Sequence, residues 1–162
     1  MAFDIDLVKK DDILKVWGEV AHYAENLERR SHDRYITADI LHQLLELPYF
    51  VWVVREDGNA LGFFICGISK YPRKTYLELN TLSGNRLKEW SVQAVDVCEK
   101  FAQKLGLDGM ETSTMPGLEK AFKQHGFVKE YVVMTKQIEK LPEEDTEEFV
   151  EEEQVLEVAY GR

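Results

Sequence analysis

Residues 121–127, Ala-Phe-Lys-Gln-His-Gly-Phe, decide more about the fold of this chain than any other stretch. Together with Leu118, the first two of them have the spacing of one apolar helix face, and Gly126 is the residue type that commonly ends a helix. The chain continues over residues 127–138 as a run rich in β-branched and aromatic side chains. These residues predict a short helix that ends at Gly126 and a last long strand.

A longer helix and two strands are predicted before this short helix. Apolar residues recur at intervals of three and four from Leu87 to Leu105, the pattern of a helix with one buried face. Gly106 can end that helix, and residues 109–114 then predict a short strand. The stretch Thr75–Leu82 predicts another strand ahead of the long helix.

The first half of the chain predicts two helices and a hairpin. Residues 3–7 alternate apolar and acidic side chains like a half-buried strand, and amphipathic helix patterns follow at residues 13–27 and 40–45. Strands at residues 50–54 and 61–68 flank a Glu-Asp-Gly-Asn turn. The second of these strands is continuously apolar, which indicates burial on both faces. Together these elements predict a single α/β domain.

The order of these elements resembles the GNAT acetyltransferase superfamily. The stretch quoted first is similar to the A-(Y/F)-x-x-x-G-F signature of that family, and the resemblance covers about residues 3–138. It implies one GNAT-like domain over residues 1–140, with a mixed central sheet of about six strands flanked by helices on both faces. Residues 141–162 follow as an acidic C-terminal tail.

Negative charge is concentrated in that tail. Residues 141–162 hold nine of the 30 acidic residues and one of the 20 basic residues, Arg162. Residues 1–140 therefore carry 21 acidic and 19 basic side chains. Such a tail repels nucleic acid and attracts basic partners. We therefore expect a protein partner or a homo-oligomer bound through the tail, and no nucleic acid. No apolar run has the length of a membrane span, and residues 1–6 lack the apolar core of a secretory signal.

The resemblance implies an acetyl-CoA site at the start of the long helix. In the family, a loop of the form R/Q-x-x-G-x-G/A offers bare main-chain N–H groups to the diphosphate. Counting back from Gly106 places Arg86 at the Arg/Gln position and puts Glu89 and Ser91 at the two glycine positions. The candidate cofactor-binding residues are Ser83, Gly84, Asn85 and Arg86.

Two features disfavour acetyl-CoA chemistry. The first is Glu89, which brings a carboxylate toward an anionic ligand. Arg86 could hold that anion at the start of the helix; the alternative is that the loop caps the helix and Arg86 forms a surface ion pair with Glu89. In many family members a tyrosine of the last helix protonates the leaving thiolate, and an asparagine precedes it. The corresponding residues here are Phe122 and Met115, and phenylalanine has no proton to donate.

The predicted strand Thr75–Leu82 carries the candidate catalytic residues. Tyr76, Glu78 and Asn80 share one of its faces because side chains alternate along a strand. In some GNAT enzymes a glutamate on this strand deprotonates the acceptor amine, so the resemblance implies Glu78 as general base, with Tyr76 and Asn80 orienting the amine. The alternative is a polar strip at the sheet edge or beneath a loop.

Metal binding and cysteine chemistry are not expected. The four histidines lack the spacing of metal ligands. Cys66 and Cys98 each lie in an apolar stretch, so we interpret them as reduced, buried core residues rather than nucleophiles or a disulfide.

Three functions remain open from the sequence. The first is a non-catalytic, protein-binding module, which more loosely resembles the degenerate GNAT-like proteins encoded among the virion genes of short-tailed phages. The second is an acyl-CoA-dependent N-acetyltransferase with Glu78 as base. The third is a fold mimic that inhibits a basic protein through its acidic tail. The expected location is cytoplasmic, meaning the host cytoplasm or the virion for a phage-encoded protein.

Overall fold

The computed structural model describes residues 3–140. The chain divides into two units, Met1–Val128 and Lys129–Arg162, and the helices and strands of the described residues belong to the first. In chain order they are β1 (Asp4–Leu7), α1 (Ile13–Arg30), α2 (Thr37–Glu46), β2 (Phe50–Glu56), β3 (Asn59–Lys70), β4 (Thr75–Gly84), α3 (Leu87–Lys104), β5 (Gly109–Glu111) and α4 (Glu119–Gln124). The predicted acidic tail, residues 141–162, lies outside the described residues.

The five strands form one mixed sheet in the order β1-β2-β3-β4-β5. The first three pairings are antiparallel, whereas β5 pairs with β4 in parallel. The β2–β3 hairpin closes through Asp57 and Gly58, whose positive φ angles of 50° and 80° are those of a tight hairpin turn.

The sheet is apolar on both faces because β2 and β3 alternate between two side-chain clusters. Val51 and Val53 pack with residues of α1 and α2, whereas Trp52 and Val54 pack with residues of α3. Burial on both faces explains why β3 is apolar along most of its length. Burying the fully enclosed Trp90 of α3 contributes about 1.5–3 kcal/mol or more to the free energy of folding.

Two sequence expectations are corrected. The sheet has five strands in the described residues, not about six, because the predicted strand at residues 127–138 is wrong: residues 127–140 form neither helix nor strand. High strand propensity there is not enough, since a strand also needs a neighbour for its N–H and C=O groups. From Val128 onward, the apolar side chains of this segment are exposed, with Tyr131 83% and Met134 88% accessible. The predicted strand at residues 109–114 is shorter, ending at Glu111.

Between residues 3 and 140, none of the helices combines the length and the apolar character that crossing a lipid bilayer would require.

Candidate functional site

A bulge in β4 sets the geometry of the candidate site. Cys66 of β3 faces Leu79, and the preceding Ile65 faces Thr81, so Asn80 is an extra residue with no partner in that ladder. Because Asn80 is inserted, each residue after it lies on the opposite face from the one that unbroken alternation would give. As a result Glu78, before the bulge, and Thr81, after it, both point to the face covered by α1 and α2.

A shallow cleft opens on this face beside the bulge. It has a volume of about 360 Å³, including the space open to solvent. Asn80 and Thr81 form its polar side, and the Thr81 hydroxyl donates a 3.2 Å hydrogen bond to Asn80 Oδ1. The remaining lining residues come mainly from α2 and its flanks: Tyr35, Ile40, Gln43, Leu44, Tyr49 and Ile65.

Glu78 lies next to this cleft and is half-buried. The Ser69 hydroxyl donates a 3.4 Å hydrogen bond to Glu78 Oε2. Tyr49 lies over Gly67, where an added Cβ would come within 2.9 Å of the tyrosine ring and 4.0 Å of Glu78 Oε2. Gly67 therefore lets the Tyr49 ring approach the sheet beside the Glu78 carboxylate.

A second glutamate, Glu111, lies beside Glu78 on the neighbouring strand. The parallel register of β4 and β5 pairs Glu78 with Glu111, and the Tyr71 hydroxyl donates to both Glu111 oxygens at 3.0 and 3.1 Å. The Tyr76 ring covers Gly109 and meets the Tyr71 ring edge-on at 5.8 Å. Carboxylates among tyrosine rings favour a cationic amine, through charge and through cation–π contacts.

The structure therefore brings Tyr76 and Glu78 to one face and places Asn80 at the cleft. It adds three polar groups near Glu78 that the sequence analysis missed: Tyr49, Ser69 and Glu111. For Ser69 and Glu111 the only signal in the sequence was the period-two alternation of β3 and β5, which cannot identify the neighbouring strand. Tyr49 precedes β2 and had no signal at all.

The candidate cofactor-binding residues are engaged within the protein. The Ser83 hydroxyl donates to the main-chain carbonyl of Tyr23 at 2.7 Å. The Asn85 N–H bonds the Leu61 carbonyl at 2.8 Å, and the Trp90 indole N–H bonds the Asn85 carbonyl at 2.8 Å. A Cβ at Gly84 would lie 2.4 Å from the Leu61 carbonyl oxygen, so this glycine serves the close approach of β3 and β4.

Arg86, directly before α3, is held between two carboxylates. Its guanidinium bonds Glu89 at 2.6 Å and 3.0 Å and also bonds Glu56 at the end of β2, while it covers the Phe3 ring at 5.5 Å. The hydrogen bonds that Arg86 donates to Glu89 and Glu56 raise the pKa of Arg86 above its ordinary value. The hydrogen bond from Arg86 lowers the pKa of Glu89. The Arg86–Glu89 ion pair expected as the alternative is therefore present.

This arrangement does not fit the diphosphate of acetyl-CoA. Two carboxylates of the same chain engage the Arg86 guanidinium, so a dianionic group would have to compete with both of them for this cation. The Glu89 and Ser91 side chains occupy the two positions where the family has bare backbone.

The last helix offers no proton donor at the expected place. Phe122 packs into the α3 cluster and meets Phe127 edge-on at 5.2 Å, and Met115 is exposed. Within residues 3–140, no three His, Cys, Asp or Glu side chains are grouped so that they could hold a metal ion.

Comparisons with known proteins add a fold relationship. No protein-family model matches the chain, and no curated protein matches it in sequence. Among solved structures, the ribosomal-protein-alanine N-acetyltransferase of Brucella melitensis biovar Abortus 2308 matches with a TM-score of 0.65 at 18% identity, over 85% of this chain and 100% of that chain.

Two further solved structures agree. An aminoglycoside acetyltransferase from an uncultured soil metagenomic sample matches with a TM-score of 0.64 at 13% identity, over 86% of this chain and 100% of that chain. A GCN5-related N-acetyltransferase (GNAT) from Ralstonia eutropha JMP134 matches with a TM-score of 0.63 at 15% identity, over 85% and 99%. At these identities the likeness concerns the fold, and this chain has the GNAT acetyltransferase fold.

Proposed function

We propose that this chain is a GNAT-fold module that has lost ordinary acetyl-CoA binding and acts by binding a protein partner. The observation that carries the proposal is the position of Arg86 between Glu56 and Glu89. The one cation that the family would use for the diphosphate is neutralised by two carboxylates of the same chain. An incoming diphosphate would have to break both ion pairs and would then face two uncompensated negative charges.

The segment after α4 supports the protein-binding half of the proposal. Tyr131, Val132, Val133 and Met134 are consecutive, apolar or aromatic, and between 68% and 88% exposed. Contiguous exposed apolar side chains commonly mark a surface that associates with another protein. The nine acidic residues further along the sequence would favour a basic partner. Membership among the virion-associated GNAT-like proteins of short-tailed phages is the finer form of this proposal, and it rests on sequence resemblance alone.

Acetyl-CoA binding tests the proposal directly. Purified full-length chain is heated with and without acetyl-CoA, and heat release is followed by titration calorimetry. We expect no shift in Tm and no binding heat at millimolar acetyl-CoA. A ligand present at 1,000 times its Kd would stabilise the fold by about 4 kcal/mol, so binding in the micromolar range would be plain and would contradict the proposal.

A second candidate function is an N-acyltransferase with Glu78 as general base. The observation that favours it is the pairing of Glu78 with Glu111 beside Tyr49, Tyr71 and Tyr76, which suits a cationic amine. In this function the Glu78 carboxylate accepts a proton from the acceptor ammonium or amine, and Tyr76 and Asn80 orient the nitrogen. The acyl donor would have to be held elsewhere than at the Arg86 loop.

A further inference from the structure

We propose that Cys66 and Cys98 form a latent disulfide pair, a two-electron oxidation site that joins β3 to α3. The inference is independent of the proposed function, because it concerns the α3 side of the sheet and not the cleft on the opposite face. Its basis is the placement of the only two cysteines of the chain, which lie 32 residues apart in sequence.

The two thiols are in direct contact. Cys66 lies in β3 and Cys98 in α3, and their sulfur atoms are 3.6 Å apart. A disulfide has a sulfur–sulfur distance of about 2.05 Å, so closure needs the sulfurs to approach by about 1.6 Å. Rotation of the two side chains and a slight shift of α3 toward the sheet can supply that approach, because the cysteine side chains are short and unbranched.

Burial controls the rate of the reaction. Both cysteines are fully buried among the apolar residues between the sheet and α3. The hydrogen bond to Cys98 and the burial raise the pKa of Cys66, which keeps that thiol protonated at neutral pH. The pair is therefore protected from casual oxidation and reacts with small oxidants during local opening of α3.

The chemistry balances with a peroxide as oxidant. One cysteine loses its proton, and the thiolate attacks a peroxide oxygen; the O–O bond breaks to give a sulfenic acid and hydroxide, and the hydroxide takes up the released proton to form water. The second thiol attacks the sulfenic sulfur, the S–O bond breaks and a second water leaves as the S–S bond forms. The two thiols lose two electrons and two protons, and the peroxide is reduced to two waters.

The link would close a loop that contains every site residue predicted from the sequence. Residues 66–98 include all of β4, with Tyr76, Glu78 and Asn80, and the loop that ends at Arg86. Tying β3 to α3 would fix the spacing between the cleft strand and the helix that follows it. The oxidised chain should also be more stable, because a cross-link over a loop of this length removes entropy from the unfolded state.

The test uses the full-length chain, reduced and then freed of reductant. It is treated with hydrogen peroxide or diamide, quenched in acid, unfolded in guanidinium and alkylated, and its mass is measured. We expect both thiols to escape alkylation together, so that the mass is that of the unalkylated reduced chain less two hydrogen atoms. The chain should remain a monomer on non-reducing electrophoresis. Tm should rise by several degrees, and dithiothreitol should reverse the rise.

Two variants and one reference decide the result. Cys66→Ala and Cys98→Ala each keep one thiol and should show neither the mass loss nor the reversible rise in Tm. The guanidinium-unfolded chain serves as the reference for what the oxidant can do without the fold. The proposal is overturned if the folded chain keeps both thiols after prolonged treatment that oxidises the unfolded one, or if only intermolecular dimers or single-cysteine adducts form. If a variant does not fold, the mass and thiol count of the natural chain decide alone.

Discussion

Arg86 and Glu56 lie 30 residues apart in sequence, and the guanidinium of the first bonds the carboxylate of the second. The Glu56 side chain is three-quarters buried, and among the described residues its second carboxylate oxygen, Oε1, is buried and has no hydrogen-bond partner. Arg86 is therefore the charge partner of a carboxylate that the fold has largely removed from water. This relationship ties the hairpin between β2 and β3 to the start of α3.

Replacing Arg86 should destabilise the protein more than replacing its more exposed partner. Arg86→Ala leaves the Glu56 carboxylate buried without a cation, and we expect Tm to fall by several degrees. Glu89→Ala removes an exposed pair and should lower Tm by about 2 °C or less. Thermal unfolding followed by circular dichroism measures both, and an equal or larger effect of Glu89→Ala would contradict the assigned role of Glu56.

Alanine at Gly62 and at Gly18 should have opposite effects. A Cβ at Gly62 would lie 2.5 Å from the Ser83 carbonyl oxygen and 2.8 Å from the Gly84 Cα, so β3 and β4 would have to separate. We expect Gly62→Ala to cost about 1–3 kcal/mol in the free energy of unfolding. Gly18, within α1, has nothing within 4 Å of an added Cβ, so Gly18→Ala should stabilise by about 0.5–1 kcal/mol. Urea unfolding of both variants provides the comparison, and a neutral Gly62→Ala would refute the close strand approach.

The link between α1 and α2 should be sensitive to acid. Glu28 Oε2 accepts hydrogen bonds from the Thr37 hydroxyl at 2.6 Å and the Thr37 N–H at 2.7 Å, and these bonds lower the pKa of Glu28 from its ordinary 4.5. Because the pKa is lower in the folded state, the stabilisation is present above pH 4.5 and is lost as pH falls through the lowered value.

Glu28→Gln should therefore lower Tm at pH 7 and make little difference at pH 3. The matched control is Glu25→Gln, one turn earlier on α1 and exposed, which should leave the pH profile of Tm unchanged. A constant difference between Glu28→Gln and the natural chain across this pH range would show that ionisation of Glu28 is not involved.

The exposed apolar side chains of residues 131–134 should contribute to association with another chain and contribute little to the stability of the fold. Tyr131→Ser combined with Met134→Ser should weaken self-association or partner binding by at least about tenfold, as expected when aromatic anchors are removed. Tm of the unit Met1–Val128 should hardly change, because both side chains are more than 80% exposed. Lys136→Ser is the control for a polar side chain of the same segment. Sedimentation velocity measures self-association, and a large loss of Tm would mean that these side chains belong to the folded core.

If the chain has transferase activity, replacing Glu78 should mainly lower kcat, whereas replacing Glu111 should mainly raise KM. Glu78→Gln removes the proposed base and should lower turnover by about 10²-fold or more at saturating amine. Glu111→Gln should raise KM for a cationic amine with a smaller change in kcat, because its charge contributes to binding. Release of free CoA thiol measures both parameters, and unchanged turnover in Glu78→Gln would remove Glu78 from the mechanism.

Sequence patterns were sufficient for most elements because their causes are local. Apolar spacing predicted α1, α2 and α3, and the Glu-Asp-Gly-Asn turn predicted the β2–β3 hairpin. The parallel contact between β4 and β5 depends on a crossover through α3, so local patterns did not predict it. The prediction of a strand at residues 127–138 was wrong because it rested on strand propensity, which is local, whereas a strand also needs a neighbouring strand to pair with. Buried Cys66 and Cys98 were expected, but their contact was not, because nothing in either stretch indicates the other.

The bulge at Asn80 makes β4 tolerant of one particular shortening. Without Asn80 the strand would pair with β3 in unbroken two-residue alternation, so Glu78 would still lie beside Tyr49 and Ser83 would still reach the Tyr23 carbonyl. One added residue in the regular part of the strand would instead turn one of these side chains to the face covered by α3. Deleting Asn80 therefore keeps both surfaces of the strand, whereas an inserted residue would have to be absorbed by a second bulge.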